Sequence, residues 1–342
     1  MAGKDDLNKY SRQVLFAGLG EAGQRRLLGA RVVIVGCGAL GSAQANALAR
    51  AGVGWLRLID RDFVEESNLQ RQMLFTEADA RQALPKAVAA ERQLKQINSA
   101  VGVEGIVADL VPENAEELLS GFDLMLDGTD NFETRGLVND VAVKHGRPWV
   151  YGAVVGSYGV MMPIVPGQSA CFTCLLEGQG GAGLEETCDT VGVINPAVSW
   201  VAALQVSQAL QLLVGSWTAE TARLHRGDLW RNEFYASPLP RPRADCRTCG
   251  QREFVHLAGK ARPPITLCGR NSVQIHERGR RLDLDQLSRR LAAHGEVRHN
   301  DYLLRLHVPP YELTVFADGR AIIGGTTDPA LARSLYARYL GA

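Results

Sequence analysis

The sequence predicts an α/β protein: a doubly wound, mostly parallel sheet with an antiparallel extension, followed by a small α+β domain. Three observations carry this. The β-branched run RVVIV, residues 31–35, leads into Gly36-x-Gly38-x-x-Gly41 and then into a small-residue stretch of helical character. Apolar runs and amphipathic stretches alternate up to Trp149 at the spacing of β-α-β units, which pair strands in parallel. After Trp149 the texture changes: VYGAVVGSYGVMMPIV is apolar, carries turn glycines and contains no helix, so antiparallel strands are expected.

Taken in order, an N-terminal helical arm broken near Gly18 and Gly20 precedes the strand at 31–35. Residues 39–51 suit a helix packed closely on a sheet, and 55–59 a second strand. A helix is expected over 84–97, with Pro85 in its first turn where proline is tolerated. Strands at 101–107 and 123–126, helices at 112–119 and 134–144, and a strand from Trp149 complete the alternation. The most apolar stretch, 193–215, is interrupted by Pro, Ser and Gln; it reads as a helix buried in protein or at a subunit interface rather than a membrane span. GQGGAGLEE, 178–186, reads as a mobile loop and SPLPRPRAD, 237–245, as a proline-broken connector. From about Ala261 the order is strand, helix, strands, helix. The expected division is 1–254 for a nucleotide- and metal-binding domain and 261–342 for the small α+β domain.

Lys+Arg and Asp+Glu both number 37 in 342 residues, which argues against a general nucleic-acid or membrane-surface binder and leaves room for a local basic pocket. MAGKDDLNKY has no apolar core, so no signal peptide is expected. Seven cysteines, an odd number, suit a reducing compartment, and the cytoplasm is the expected location.

Gly36 permits a tight turn, Gly38 lets backbone N–H groups approach a phosphate, and Gly41 lets helix and strand touch. Asp60, ending the second strand, suits ribose hydroxyls. This much serves a nicotinamide or flavin dinucleotide, another nucleotide, or a structural turn. The residues beyond Asp60 narrow the choice. SNLQRQ supplies Ser67, Asn68 and Arg71, LPKA supplies Lys86, and LDGTDN places Asp127 and Asp130 at a strand's C-terminal end, the edge where doubly wound sheets bind ligands. Cations neutralise polyphosphate, and a carboxylate such as Asp130 can hold Mg²⁺ on phosphate oxygens. Hydride transfer has no use for such a cage; nucleotidyl transfer from ATP does. Each residue also has a plainer role: solvated cations, Asp127 and Asp130 as helix caps, Asn68 as a turn residue. Cys171-x-x-Cys174 and Cys246-x-x-Cys249 are two knuckles whose four thiolates fit a closed, structural Zn²⁺ site. Cys37 and Cys268 read as packing residues.

YSRQ (10–13), GCGALG (36–41), AGVG (51–54), SNLQRQ (67–72), PKA (85–87), LDGTDN (126–131) and the Cys-x-x-Cys pairs, as an ordered set over about residues 10–250, resemble the ThiF/MoeB/HesA family, bacterial relatives of ubiquitin-activating enzymes. Within it, the chain is most similar to the branch that serves thiazole (thiamin) biosynthesis and carries an extra C-terminal domain. The resemblance implies adenylylation of the C-terminal Gly-Gly carboxylate of a ubiquitin-like sulfur carrier by Mg·ATP, with a ThiS-like carrier favoured over the MoaD-like carrier of molybdopterin synthase. An NAD-dependent oxidoreductase is the remote alternative. Carried over by motif, the Gly36, Gly38, Ala39 and Gly41 turn and Asp60 would hold the nucleoside. Ser67, Asn68, Arg71 and Lys86 would line the phosphates, and Asp130, with Asn131 nearby, would hold Mg²⁺. Arg12 would reach the ATP of the other subunit of a homodimer. Ala39 stands where many relatives have glycine. Cys188, in GLEETCDTVG, matches a cysteine that some members use to carry sulfur or to link to the carrier; a covalent role and a bystander role both stay open. A cysteine desulfurase is a further implied partner. The arginines of HERGRR and SRRL offer either a docking face for an acidic partner or ordinary solvated surface.

Overall fold

A computed structural model describes residues 4–178, 191–259, 266–267, 271–276 and 281–341. The chain divides into two units, Met1–Ala261 and Arg262–Ala342. The first contains α1 (Ser11–Val14), α2 (Gly20–Gly29), β1 (Arg31–Val35), α3 (Ala39–Ala51), β2 (Trp55–Asp60), α4 (Glu77–Arg81), α5 (Lys86–Ile97), β3 (Gly102–Val107), α6 (Pro112–Leu119) and β4 (Leu124–Asp127). It continues through α7 (Phe132–His145), β5 (Trp149–Val155), β6 (Tyr158–Ile164), α8 (Phe172–Gly178), α9 (Asn195–Val214), β7 (Arg223–Asp228) and β8 (Glu233–Pro238).

These strands form one sheet in the order β3-β2-β1-β4-β5-β6-β7-β8. The pairings from β3 to β5 are parallel, and those from β5 to β8 antiparallel. The expected doubly wound sheet with its antiparallel extension is therefore present. β1 is buried at four consecutive residues, as a strand covered on both faces must be. The strand order reverses between β1 and β4, in register Val35↔Asp127, and a crevice opens beyond such a reversal.

Several boundaries shift by one or two residues from expectation, as in β4 and α7, and one hairpin is new. α5 begins at Lys86, so Pro85 sits at the N-cap with ψ 135° rather than in the first turn. The hairpin β7–β8 is additional to the expected elements: β8 is exposed along nearly its whole length and shows no apolar alternation. α9 is long and apolar enough to cross a membrane by composition, yet half of its most apolar window is buried, and it packs on β5, β6 and α3. Residues 179–190, which hold most of the expected loop together with Cys188, lie outside the described residues, as does Cys268.

The N-terminal arm is locked by two residues of YSRQ. Tyr10 is buried with its ring over Gly52, where a Cβ would lie 2.5 Å from the ring, and its hydroxyl accepts from Asn98 Nδ2 at 2.9 Å. Gln13 Nε2 donates to Gln24 Oε1 and to the Ala51 carbonyl. Gly54 is similarly required, since a Cβ there would fall 2.0 Å from the Leu28 carbonyl oxygen. AGVG is thus the seat on which the arm rests.

The second unit contains β9 (Thr266–Leu267), β10 (Ser272–His276), α10 (Leu284–Leu291), β11 (Glu296–His299), β12 (Leu303–Val308), β13 (Tyr311–Phe316), β14 (Arg320–Gly324) and α11 (Pro329–Leu340). Its sheet order is β11-β12-β13-β14-β10-β9. Leu287 and Leu291 of α10 and Leu335 and Tyr336 of α11 pack on Leu306 and Val315 of the sheet. Arg290, in SRRL, donates to the Tyr339 and Leu340 carbonyls at 3.1 and 3.2 Å; it caps α11 rather than forming a free basic face. Residues 277–280 of HERGRR lie outside the described residues.

Candidate active site

The turn after β1 and the loop after β4 meet backbone to backbone. Gly36 has φ +89°, and a Cβ on it would lie 2.6 Å from the Gly128 carbonyl oxygen. A Cβ on Gly41 would lie 1.8 Å from the Gly36 oxygen, and one on Gly128 2.5 Å from that same atom. No side chain fits at any of the three. Gly38 differs: a Cβ there would meet only Gly128 O, at 3.9 Å. Its missing side chain leaves room over the N-terminus of α3, which starts at Ala39 and presents N–H groups without intrahelical partners. That is a cradle for an anionic group.

Asp60 is buried beside this turn. Its Oδ2 accepts from Cys37 N at 2.6 Å and its Oδ1 from Asp62 N at 2.7 Å. Each carboxylate oxygen can accept a second hydrogen bond, so capacity for ribose hydroxyls remains. Burial pushes the Asp60 carboxyl up from its ordinary value, and the nearby Lys86 ammonium opposes this. Lys86, 3% exposed, pairs with Asp62 Oδ2 at 3.2 Å. Arg61 pairs with Asp109 at 3.2 Å. Burial likewise pushes the Cys37 thiol well up, which suits its expected packing role.

Asp127 ends β4 fully buried. Its Oδ1 accepts from Thr129 N and Thr129 Oγ1 at 2.9 and 2.7 Å, and its Oδ2 pairs with Arg135 Nε at 2.8 Å. Gln44 and Gln205 donate to its carbonyl, both at 2.9 Å. Asp130 is exposed on the loop beyond, where its charge acts on Arg61 and Arg135. The cap of α7 is Asn131, whose Oδ1 accepts from Thr134 N at 2.8 Å; neither Asp127 nor Asp130 takes that role.

The remaining expected residues are held locally. Asn68 is buried in a capping box, its Oδ1 accepting from Glu65 N at 3.1 Å, and its Nδ2 lies 3.4 Å from the exposed Ser67's Oγ. Arg71 Nη1 donates to the Ser67 carbonyl at 2.9 Å. Arg12 is exposed on the arm, near Leu15 and Phe16, which are 74% and 68% exposed. The fold thus gathers the glycine turn, Asp60, Lys86 and the Asp127–Asn131 loop around the strand reversal. Among the described residues, Arg71, Asn68 and Arg12 bond or stand elsewhere rather than on these groups.

The two knuckles converge. The thiols of Cys171, Cys174, Cys246 and Cys249 all lie within 4.8 Å of one another. Cys171–Cys174, Cys171–Cys246 and Cys174–Cys249 are 3.8, 3.6 and 3.5 Å apart. A tetrahedron with Zn–S bonds of about 2.3 Å has edges of about 3.8 Å, so the donor set and its spacing fit zinc. Around it, Thr173 Oγ1 and Thr248 Oγ1 lie 2.9 Å apart, and Asn139 Oδ1 of α7 accepts from Phe172 N at 2.9 Å. Next along α7, Asp140 Oδ2 accepts from His256 N and Leu257 N at 2.9 and 3.2 Å. Burial pushes the Asp140 carboxyl up from its ordinary 3.8 to about 6.

Gly128, Asp62, Arg135 and Asn139 are site residues that the sequence reading does not single out. For Gly128 a signal existed: it follows β4 as Gly36 follows β1, and the Val35↔Asp127 register makes them neighbours. For Arg135, a buried Asp127 at a strand end requires a cationic partner.

Several known proteins are similar to this chain. The Bacillus subtilis protein named sulfur carrier protein ThiS adenylyltransferase is 47% identical over 339 residues, 97% of this chain and 99% of that protein. A Thermus thermophilus sulfur carrier protein adenylyltransferase is 37% identical over 262 residues, 74% of this chain and 95% of that one. MOCS3 of Bos taurus, named as adenylyltransferase and sulfurtransferase, is 37% identical over 74% of this chain, which spans 55% of its length. The crystal structure of E. coli MccB with ATP superposes with a TM-score of 0.62 at 24% identity, covering 73% of this chain and 76% of that one, a likeness of fold alone. The ThiF family model matches residues 10–248, and the chain belongs to the ThiF family.

Proposed function

We propose that this protein adenylylates the C-terminal Gly-Gly carboxylate of a ubiquitin-like sulfur carrier of the ThiS type, releasing pyrophosphate. The carrying observation is the crevice at the strand reversal: an open Gly38 position over the α3 N-terminus, with the buried Lys86 and the exposed Asp130 loop beside it. A nicotinamide site needs the glycines and Asp60 but has no work for Lys86 and Asp130. The 47% identity to a ThiS adenylyltransferase along nearly the whole chain favours the thiazole-pathway carrier over the molybdopterin-synthase carrier.

In this reading the α3 N-terminus and Lys86 bind phosphates, with Lys86 exchanging Asp62 for phosphate oxygens. Asn68 and Arg71 close on the polyphosphate, and Asp60 takes the ribose. Asp130 would hold Mg²⁺, which would supply neutralisation of the polyphosphate charge. The carrier carboxylate attacks the α-phosphorus; a P–O bond to the carboxylate forms, and the bond to the β-phosphate oxygen breaks. The nucleophile is already ionised, so no general base is required. Charge neutralisation and alignment are what the protein supplies.

Zinc at Cys171, Cys174, Cys246 and Cys249 is structural in this proposal, since four thiolates leave no open position. A homodimer belongs to it as well. α9 contains no charged residue, and Arg12 stands beside the exposed Leu15 and Phe16. A cytoplasmic location, a cysteine desulfurase as sulfur source and carrier recognition by a C-terminal domain, 261–342, complete it. The test is ATP–pyrophosphate exchange with Mg²⁺ and each candidate carrier ending in Gly-Gly. Exchange with the ThiS-type carrier that disappears in Asp130→Ala supports the reading. Exchange with the MoaD-type carrier alone reassigns the pathway, and no exchange with any carrier overturns the activity.

A further inference from the structure

Arg135 is a buried cation beside the crevice that the proposed chemistry does not use. It sits in the first turns of α7, 4% exposed, between the rings of Phe132 and Tyr151, 5.6 and 5.3 Å from their centroids. Its Nε pairs with Asp127 Oδ2 at 2.8 Å, and its Nη2 donates to the Thr129 carbonyl at 2.7 Å and the Gly152 carbonyl at 3.2 Å. One planar group therefore joins the end of β4, the loop beyond it and the neighbouring strand β5.

The Thr129 contact matters most. Thr129 C=O and Asp130 N belong to one planar peptide unit. Asp127 Oδ1 holds the Thr129 N–H and Arg135 holds the Thr129 C=O, so the peptide leading into Asp130 is fixed in orientation. On the other side, the side chain of Asn131 is anchored on Thr134 N. Asp130 is exposed, yet its backbone is pinned before and after. We infer that Arg135 is a positioning residue that aims the Asp130 carboxylate into the crevice through the Thr129–Asp130 peptide. The inference rests on the role proposed for Asp130. A lysine cannot reproduce this, because a single ammonium lacks the planar fork that reaches the Asp127 carboxylate and both carbonyls together.

The test is Arg135→Lys, which keeps the charge beside Asp127. Pyrophosphate exchange is expected to fall about 10- to 100-fold, the scale of a misplacement near 1 Å, and the Mg²⁺ concentration for half-maximal exchange to rise. In an Asp130→Asn background the same replacement is expected to cost less than about twofold, since residues acting as one unit are not additive. A wild-type rate and Mg²⁺ dependence in Arg135→Lys overturns the inference, as does an equal loss in both backgrounds. Amide hydrogen exchange of the nucleotide-free protein supplies a readout without turnover: faster exchange confined to residues 128–134 is expected, and wild-type protection there overturns it. Should Arg135→Lys fold poorly, Asp127→Asn with Arg135→Met removes both charges and must show the same loosening. If the wild type fails to exchange pyrophosphate while the amide result stands, the adenylylation reading fails and the positioning of this loop does not.

Discussion

The nucleotide crevice and the cysteine cluster lie on the same helix but are built in opposite ways. The crevice is made of backbone. Gly36, Gly41 and Gly128 touch through main-chain atoms, and each buried charge beside them already has a protein partner: Lys86 with Asp62, Asp127 with Arg135. Its glycine turn and buried charges are held by the protein's own groups. The cluster is made of side chains from two distant segments, four thiols within 4.8 Å of one another, three of the pairs at 3.5 to 3.8 Å. A bound cation would make such a group cohesive. α7 serves both, through Arg135 toward the crevice and through Asn139 and Asp140 toward the cluster. If the proposed ligands bind, the difference implies that the metal would serve stability and the nucleotide activity alone.

The most severe way to break this contrast is Cys246→Ser. Losing one thiolate of a closed site forfeits binding energy that is folding energy, so a loss of more than about 4 kcal/mol in unfolding free energy is expected. Metal analysis of the purified protein should fall from about one zinc per chain to near none. Full stability without metal would show that hydrophobic packing around Trp149 and Phe172 suffices.

Next is a pair of substitutions within one motif. Gly41→Ala drives a methyl group into the Gly36 carbonyl and should cost about 3 kcal/mol by urea unfolding. Gly38→Ala meets nothing closer than 3.9 Å and should leave the urea midpoint near wild type while weakening ATP binding about tenfold or more by calorimetry. Equal destabilisation by the two would mean that Gly38 is structural and that the space above it is not a ligand's.

These contrasts mark what could be read in advance. The segments 31–35, 39–51 and 112–119 are as expected because each couples a clear period to a clear stop, such as Gly52 in the left-handed region after α3. The Cys-x-x-Cys spacing foretold the cluster because four thiols within a chain have few other uses. β7 and β8 escaped because an exposed edge hairpin carries no burial pattern. Gln44, Gln205 and Asn139 escaped for another reason: each is a buried polar side chain with a main-chain partner elsewhere in the chain. Such partners appear only once the sheet is assembled.

A subtler probe of the cluster side is Asp140. Its folded carboxyl titrates near 6 against an ordinary 3.8, so the native state binds the proton more tightly than the unfolded chain. The stabilisation from this group is therefore fully present below 3.8 and lost as the pH rises through about 6. Asp140→Asn should remove that downward trend: urea midpoints of wild type minus variant should decrease between about pH 4 and pH 6.5. A difference that stays flat across this interval would show that the His256 and Leu257 N–H groups hold the carboxylate ionised throughout.

The smallest expected effect is Thr248→Val. The hydroxyls of Thr173 and Thr248 bond at 2.9 Å behind the thiols, both buried, and Thr173 Oγ1 keeps a weaker 3.3 Å contact with Asn139 Nδ2 if its partner is lost. Because Thr173 Oγ1 still accepts from Asn139 Nδ2, only the hydroxyl–hydroxyl bond is lost, and the expected cost is about 1 kcal/mol. Zinc content should be unchanged and release to a chelator a few-fold faster, as expected of an outer contact that orients a ligand loop. A loss as large as that of Cys246→Ser would place the cohesion of the knuckles in their hydroxyl pair rather than in the metal, and would make the cluster resemble the crevice: a site held by the protein alone.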